Sequence, residues 1–251
     1  MGQVTFLGTG GGRFVFLTQK RHTGGIWLEL GGARLLVDPG PGALVRALDA
    51  GLDPGTLDCV ISSHGHLDHY NDVEVMVEAM THGLNRRQGL LVLQEDVVPY
   101  VSEYHRASVE TLVARSGESF TVRGLRVDVL STCNHAGGLG FRFEAPEGRV
   151  TYSGDTAYAP DVVAQYLGSR MLILNTIFPK RRASDTHLNT DDAERIASET
   201  RPKHLILTHF GVRMLAEDPA REAERIQRET GVRTTAATDG MTVRIGDGGP
   251  A

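Results

Sequence analysis

His64, His66 and His69, with Asp68 among them, place three imidazoles and a carboxylate within six residues, directly after the apolar run Cys59-Val60-Ile61. Neutral imidazole and carboxylate are the groups that proteins offer to Zn²⁺ and other divalent transition metals. His64 and His66 are two positions apart, so an extended backbone points both side chains the same way. A turn after them aims Asp68 and His69 at a second point, and one short loop can then serve two neighbouring ions. A metal pair needs more ligands and a bridge, and the chain supplies candidates in order. His135 follows Val127-Asp128-Val129-Leu130, Asp155 follows Val150-Thr151-Tyr152, and His209 follows Leu205-Ile206-Leu207. Each stands at the end of a strand-like run, where a sheet edge can hold geometry. Singly, each is as well explained by packing or by a turn. Together, after the histidine run, they point to one site.

Strands and helices alternate in two halves around these residues. A strand over 4–7 is broken by Gly8-Thr9-Gly10-Gly11-Gly12. Residues 26–30 and 33–37 form a hairpin around Gly31-Gly32, 43–50 a short helix, and 57–62 the strand that feeds the histidine loop. Val73, Met76, Val77 and Met80 recur at helical spacing, a packing stripe with Val75 outside it. Residues 89–93 are expected as a strand, 98–104 and 109–114 as short helical pieces. Strands follow at 119–122, 125–130, 139–144 and 149–152, then a helix at 160–167, a strand at 171–175 and a helix at 191–200. Asp191, Asp192 and Glu194 suit the N-terminus of that helix. A strand at 205–207, a helix at 219–230, a strand at 241–245 and a frayed tail over 246–251 complete the chain. With no linker or short-period repeat, the expectation is one domain over 1–251. Its architecture is α/β, two mixed sheets face to face with helices outside.

The glycine-rich stretch fails both nucleotide templates. No Gly-Lys-Ser/Thr follows it, and Arg13 stands where GxGxxG needs its last glycine. Its expected role is a loop crossing close to the site, where only backbone fits. A chain of 251 residues can bury a large core. A net charge of −5 gives no global reason for nucleic-acid binding. Arg86-Arg87 and Lys180-Arg181-Arg182 are local basic runs, both in connections expected near the site loops. Two cysteines exclude a disulfide scaffold; Cys59 belongs to an apolar strand, and Cys133 lies two before His135 as a packing or supporting residue. No secretory or membrane-spanning segment and no myristoylation signal is present, so a reducing, cytoplasmic setting away from membranes is the default.

The set closely resembles the metallo-β-lactamase superfamily of metal-dependent hydrolases, from Phe6-Leu7-Gly8-Thr9-Gly10 through the HxHxDH run to Ala237-Thr238-Asp239-Gly240. The resemblance implies a four-layer αββα sandwich, the metallo-β-lactamase fold. It implies that His64, His66 and His135 hold one divalent metal, that Asp68, His69 and His209 hold the other, and that Asp155 bridges them. Asp38, in Leu36-Val37-Asp38-Pro39-Gly40, would buttress the histidine loop. Zn²⁺ is the first expectation, and Mn²⁺ or Fe²⁺ suit the same ligands. Two cations about 3.5–4 Å apart generate a hydroxide nucleophile and neutralise the oxyanion, with Asp68 orienting the attack.

Lactones, thioesters and phosphodiesters are all hydrolysed on this scaffold, so the fold does not choose among them. His187, in Asp185-Thr186-His187-Leu188-Asn189-Thr190, resembles the extra histidine of the tRNase Z branch and its phosphodiesterase relatives. There it contacts the scissile phosphate and helps protonate the leaving oxygen, a role imidazole can fill near neutral pH. The helix after it would offer free N–H groups to an anion, and Arg213 is a further candidate phosphate contact. The long tRNA-gripping arm of tRNase Z, inserted between the third and fourth metal motifs, has no room here, since His135 and Asp155 stand only 20 residues apart. The expectation is a phosphodiesterase for a small phosphodiester, a cyclic phosphate, or an RNA or nucleotide end. A lactone, ester or thioester hydrolase is the alternative, and a non-catalytic metal-containing binding protein the second. A flavodiiron-type redox centre is disfavoured because His66 stands where those sites carry Glu. Oligomeric state is open, a homodimer included.

Overall fold

The computed structural model describes residues 2–135, 137–182 and 184–246, so the tail expected beyond Gly246 lies outside the described residues. The strands of the first half are β1 (Gln3–Phe6), β2 (Ile26–Leu30), β3 (Ala33–Val37), β4 (Cys59–Ser62), β5 (Leu90–Gln94) and β6 (Glu110–Ala114). Those of the second are β7 (Ser119–Val122), β8 (Leu125–Ser131), β9 (Leu139–Ala145), β10 (Gly148–Tyr152), β11 (Met171–Phe178), β12 (Leu188–Asn189), β13 (His204–Thr208), β14 (Thr234–Ala236) and β15 (Thr242–Arg244). Between them run α1 (Arg13–Thr18), α2 (Ala43–Asp49), α3 (Leu67–Tyr70), α4 (Val73–Met80), α5 (Glu103–Ser108), α6 (Pro160–Ala164), α7 (Thr190–Thr200), α8 (Val212–Ala216) and α9 (Pro219–Thr230).

Among the described residues the strands make two sheets, ordered β15-β1-β2-β3-β4-β5-β6 and β14-β13-β11-β10-β9-β8-β7, with β12 paired to β11. Strands β3 to β6 are parallel, as are β10, β11, β13 and β14. Parallel strands covered on both faces are apolar throughout, which is why β4 and β13 read as unbroken apolar runs. Their alternate side chains serve different layers. Leu35, Val37 and Ile61 join Phe141, Phe143 and Ile206 in the core between the sheets. Leu36 and Val60 face outward, onto Ala43 and Ala47 of α2 and Met76 and Val77 of α4. On the other side Leu172, Leu174 and Leu205 meet Val162 of α6, Ile196 of α7 and Ile226 of α9. The result is the αββα sandwich expected from the sequence.

Residues 109–114 read as a helical piece in the sequence, but β6 is a strand, parallel to β5. Leu112 and Ala114, two apart, both reach the inter-sheet core, which is strand rather than helix periodicity. The helix expected at 98–104 divides. A 3-10 turn over Glu95–Tyr100 contains Pro99, which lacks an amide donor, and α5 starts afresh where Ser102 accepts from the His105 N–H. The parallel strands all deliver their C-terminal ends to one edge. Asp38 follows β3, His64 follows β4, Asp155 follows β10 and His209 follows β13. In α/β sheets this edge is where ligands bind. Arg86-Arg87 precedes β5 and so lies at the opposite end of the strands, away from these loops; Lys180-Arg181-Arg182 follows β11 and lies at the same end.

Candidate metal centre

After β4, His64 and His66 continue extended, and the expected turn arrives as the single-turn helix α3, with His66 as its N-cap. The His64 Nε2 and His66 Nδ1 atoms lie 3.0 Å apart. Across the site the His69 Nε2 and His209 Nε2 atoms also lie 3.0 Å apart, with Asp68 Oδ2 3.4 Å from His209 Nε2. Asp155 stands between the groups. Its Oδ2 is 3.8 Å from His64 Nε2, 3.7 Å from His135 Nε2 and 3.6 Å from His69 Nε2, and its Oδ1 is 3.5 Å from His209 Nδ1. Two sets result, His64, His66, His135 and Asp155 in one, Asp68, His69 and His209 in the other. Within each, the donor atoms lie within 4.8 Å of one another.

Hydrogen bonding fixes which nitrogens carry protons. Asp38 accepts from the Ser63 N–H (2.7 Å), the Ser63 hydroxyl (2.8 Å) and His69 Nδ1 (2.9 Å). Because the Ser63 hydroxyl donates to Asp38, it accepts from His64 Nδ1 at 3.0 Å. Neutral His64 and His69 therefore both present an Nε2 lone pair to the site. Nitrogens that converge at such distances suit a cation between them, a proton or a metal ion. Two nitrogens bound tetrahedrally at 2.0–2.1 Å to one Zn²⁺ are about 3.3 Å apart, close to what is seen here.

Burial first, and then the neighbouring imidazoles, hold His64 well below the ordinary histidine range; burial and His187 bring His135 down to about 4. Both are thus neutral imidazoles at physiological pH, the form in which histidine can bind a metal. Burial alone would raise Asp155, but His209 and His69 hold it well below the carboxylate range. Burial opposes charge on His69 as well, yet Asp155, Asp38 and Asp68 push it up to about 10. The buried carboxylates thus call for positive charge in this site, which a proton or a metal ion can supply.

Two residues that the sequence did not single out tie the halves together. Tyr152, at the end of β10, donates its hydroxyl to Asp38 Oδ2 at 2.6 Å. Asn175 of β11 donates Nδ2 to the Tyr152 hydroxyl (2.9 Å) and to Asp155 Oδ1 (2.7 Å). A buried chain of hydrogen bonds thus runs from the carboxylate behind His69 to the carboxylate between the two sets. The one signal in the sequence was a polar Asn within the apolar run Leu172-Ile173-Leu174-Asn175.

The glycine loop crosses the site as expected. A Cβ on Gly11 would sit 2.3 Å from His209 Nδ1, and the Gly12 N–H donates to Asp68 Oδ2 at 2.8 Å. Asp239 closes the neck of this loop, accepting from the Thr9 N–H (2.8 Å), the Thr9 hydroxyl (2.6 Å) and the His22 N–H (2.9 Å).

A family model described as the beta-lactamase superfamily domain matches residues 33–210. The chain belongs to that superfamily of metal-dependent hydrolases. The uncharacterized protein MJ1374 of Methanocaldococcus jannaschii is 34% identical, over 98% of this hydrolase and 96% of the relative. Ribonuclease Z of Methanopyrus kandleri is 23% identical, over 96% of this chain and 97% of its own. The crystal structure of the metallo-β-lactamase fold protein YhfI from Bacillus subtilis superposes with a TM-score of 0.82 at 21% identity, covering 97% of this chain and 100% of that one.

In the hydrolase, His187 stands at the mouth of the site. Its Nε2 is 3.4 Å from Asp155 Oδ2, its ring is edge-on to His135 with centroids 5.1 Å apart, and its Nδ1 meets the Thr186 hydroxyl at 2.8 Å. The helix after it does not offer the free amides expected. The Asn189 side chain accepts from the Asp191 and Asp192 N–H groups in a capping box, and two carboxylates occupy the first turn. Arg213 is exposed on α8, and no hydrogen bond or ion pair among the described residues joins it to the cluster. Cys59 is fully buried, and half-buried Cys133 packs against the outer core of the second sheet. Between His135 and Asp155 lies the short hairpin β9–β10.

Proposed function

We propose that this hydrolase is a phosphodiesterase using two divalent cations, Zn²⁺ first with Mn²⁺ or Fe²⁺ as alternatives. His64, His66 and His135 would hold one, Asp68, His69 and His209 the other, and Asp155 would lie between both. When bound, such a pair activates water and neutralises charge on a phosphoryl oxygen. The observation that carries the choice of phosphodiester is His187, whose Nε2 comes within 3.4 Å of Asp155 Oδ2 from an element outside both ligand sets. From there its Nε2–H can be passed to a leaving alkoxide, which an ester with a poor leaving group requires.

The Asp38–Tyr152–Asn175 chain holds His69 and Asp155 at fixed separation. The Gly12 N–H fixes Asp68, which would also orient the attacking water. The glycine loop covers one side of His209 and keeps bulk water from it. The ribonuclease Z relative supports a phosphodiester substrate. The short hairpin in place of an arm supports a small one, such as a cyclic phosphate or an RNA or nucleotide end. No helix among the described residues is long and apolar enough to cross a membrane, and Cys59 and Cys133 are free thiols, in keeping with a cytoplasmic enzyme.

The test is turnover of bis-p-nitrophenyl phosphate by metal-replete protein beside a lactone and a thioester panel. Phosphodiester turnover that disappears in Asp155→Ala, together with bound metal, is the expected result. Silence there with lactone or thioester turnover would overturn the phosphodiesterase reading and keep the metal centre.

A further inference from the structure

The basic run Lys180-Arg181-Arg182 has no part in the chemistry above, yet it leaves β11 at the edge that carries the site. Just before it the pairing of β11 with β12 is irregular. Thr176 faces Leu188 and Phe178 faces Asn189, so Ile177 is an extra residue. Such a bulge re-aims the side chain that follows it. Phe178 thereby meets His187 edge-on, with ring centroids 6.2 Å apart. The guanidinium carbon of Arg182 lies over the Phe178 ring, 5.1 Å from its centroid. Two hydrogen bonds hold the backbone of this turn, from the Arg181 N–H to Asp191 Oδ2 (2.8 Å) and from Asn189 Nδ2 to the Arg182 carbonyl (3.1 Å). Arg182 is exposed, and no carboxylate pairs with it among the described residues. A row of flat groups, guanidinium, phenyl and imidazole, thus runs from solvent to the carboxylate at the centre of the site.

We infer that Phe178 and Arg182 form a subsite for the planar base of a nucleotide whose phosphate sits beside Asp155 and His187. The inference rests on the phosphodiesterase reading for which group occupies the centre. A phenyl ring and a guanidinium both take a base by stacking, whichever base it is. The cationic run beside them favours an anionic ligand. An alkyl group would gain apolar contact from the phenyl ring but no stacking with the guanidinium. The position next to His187 also assigns the subsite to the departing side of the substrate, since that imidazole delivers the proton to the leaving oxygen.

The experiment is calorimetric titration of metal-replete protein with adenosine 5′-phosphate and ribose 5-phosphate, which share the ribose phosphate and differ in whether a base is attached at C1′. Wild type should bind the nucleotide about tenfold tighter, the scale of one base stacked on an aromatic side chain. Phe178→Leu and Arg182→Gln should each cut that preference to about threefold or less, and Phe178→Tyr should retain it. Arg182 is exposed, so its variant tests the subsite even where a Phe178 variant disturbs the fold. Equal affinities in wild type, or an unchanged preference in both variants, would overturn the inference. Turnover of bis-p-nitrophenyl phosphate measured alongside separates the two readings. Turnover without a base preference removes the subsite and leaves the phosphodiesterase; a base preference without turnover of that diester counts against the phosphodiesterase and leaves a nucleotide-binding site.

Discussion

Gly11→Ala tests how closely the glycine loop and the metal centre are coupled. The backbone at Gly11 is not in the left-handed region, so alanine is excluded there by space alone. Its Cβ would lie 2.3 Å from His209 Nδ1, 2.4 Å from Cγ and 2.5 Å from Cε1, against an ordinary contact of 3.4 Å or more. The ring or the loop must therefore retreat by about 1 Å. The loop resists, because the Gly11 N–H is bonded to the Phe210 carbonyl (3.1 Å) and the Phe210 N–H to the Thr9 carbonyl (2.8 Å). Metal–ligand distances tolerate about 0.2 Å, so a displacement several times larger would take His209 out of reach of an ion held by Asp68 and His69. Overpacking of this kind costs about 1–3 kcal/mol of fold stability. Metal analysis after dialysis against a graded chelator should show one ion retained near wild-type affinity and the other weakened at least about tenfold. Thermal unfolding of the metal-free protein should reveal the overpacking cost separately. Two ions held with wild-type affinity would refute the coupling.

Tyr152→Phe leaves an oxygen of Asp38 and a proton of Asn175 without their shared partner, at a cost of about 1–3 kcal/mol; chemical denaturation and metal titration should both register it, and unchanged curves would count against the chain. His187→Ala should keep its metal and its fold, yet slow alkyl phosphodiesters more than p-nitrophenyl esters; equal slowing of both removes the proton-delivery role. His204, buried at the start of β13 and bonded to the Thr235 hydroxyl at 2.8 Å, is held down to about 4 by burial and by Arg233. Below pH 6.5 the unfolded chain takes up a proton that the folded chain refuses, so stability falls as pH drops from about 6.5 to 4. After allowance for solvent screening the loss is roughly 1–2 kcal/mol. The slope of stability against pH should therefore flatten over that window in His204→Gln, and identical slopes would show that His204 does not contribute.

Residues 64–69 stand out as a candidate site because ligand type and two-residue spacing are local properties, and the strand ends before His135, Asp155 and His209 are legible from short apolar runs. Structure departs from local pattern where the pattern underdetermines the partner. Residues 110–114 became a strand because β5 offered a parallel neighbour, which no local window contains. Arg86-Arg87 and Lys180-Arg181-Arg182 look alike in sequence, and only the direction of the strands beside them places one run far from the site and the other next to it. The free amides expected after His187 are used by Asn189, a competition between neighbours that the acidic first turn had hinted at.

By itself the sequence determined which residue types could hold metal, their order along the chain, and the layered α/β class that brings strand ends to one edge. The tertiary structure decided which atoms face one another. The bond from Tyr152 to Asp38 and that from Asn175 to Asp155 join residues on different sheets or different strands, and the approach of Gly11 to His209 spans most of the chain. Such contacts depend on how two sheets stack and how their edges align, to within a fraction of an ångström. Periodicity and spacing act over only a few residues, so they carry no information about that alignment. Packing of the apolar faces supplies it, and the polar groups at the strand ends meet where that packing puts them.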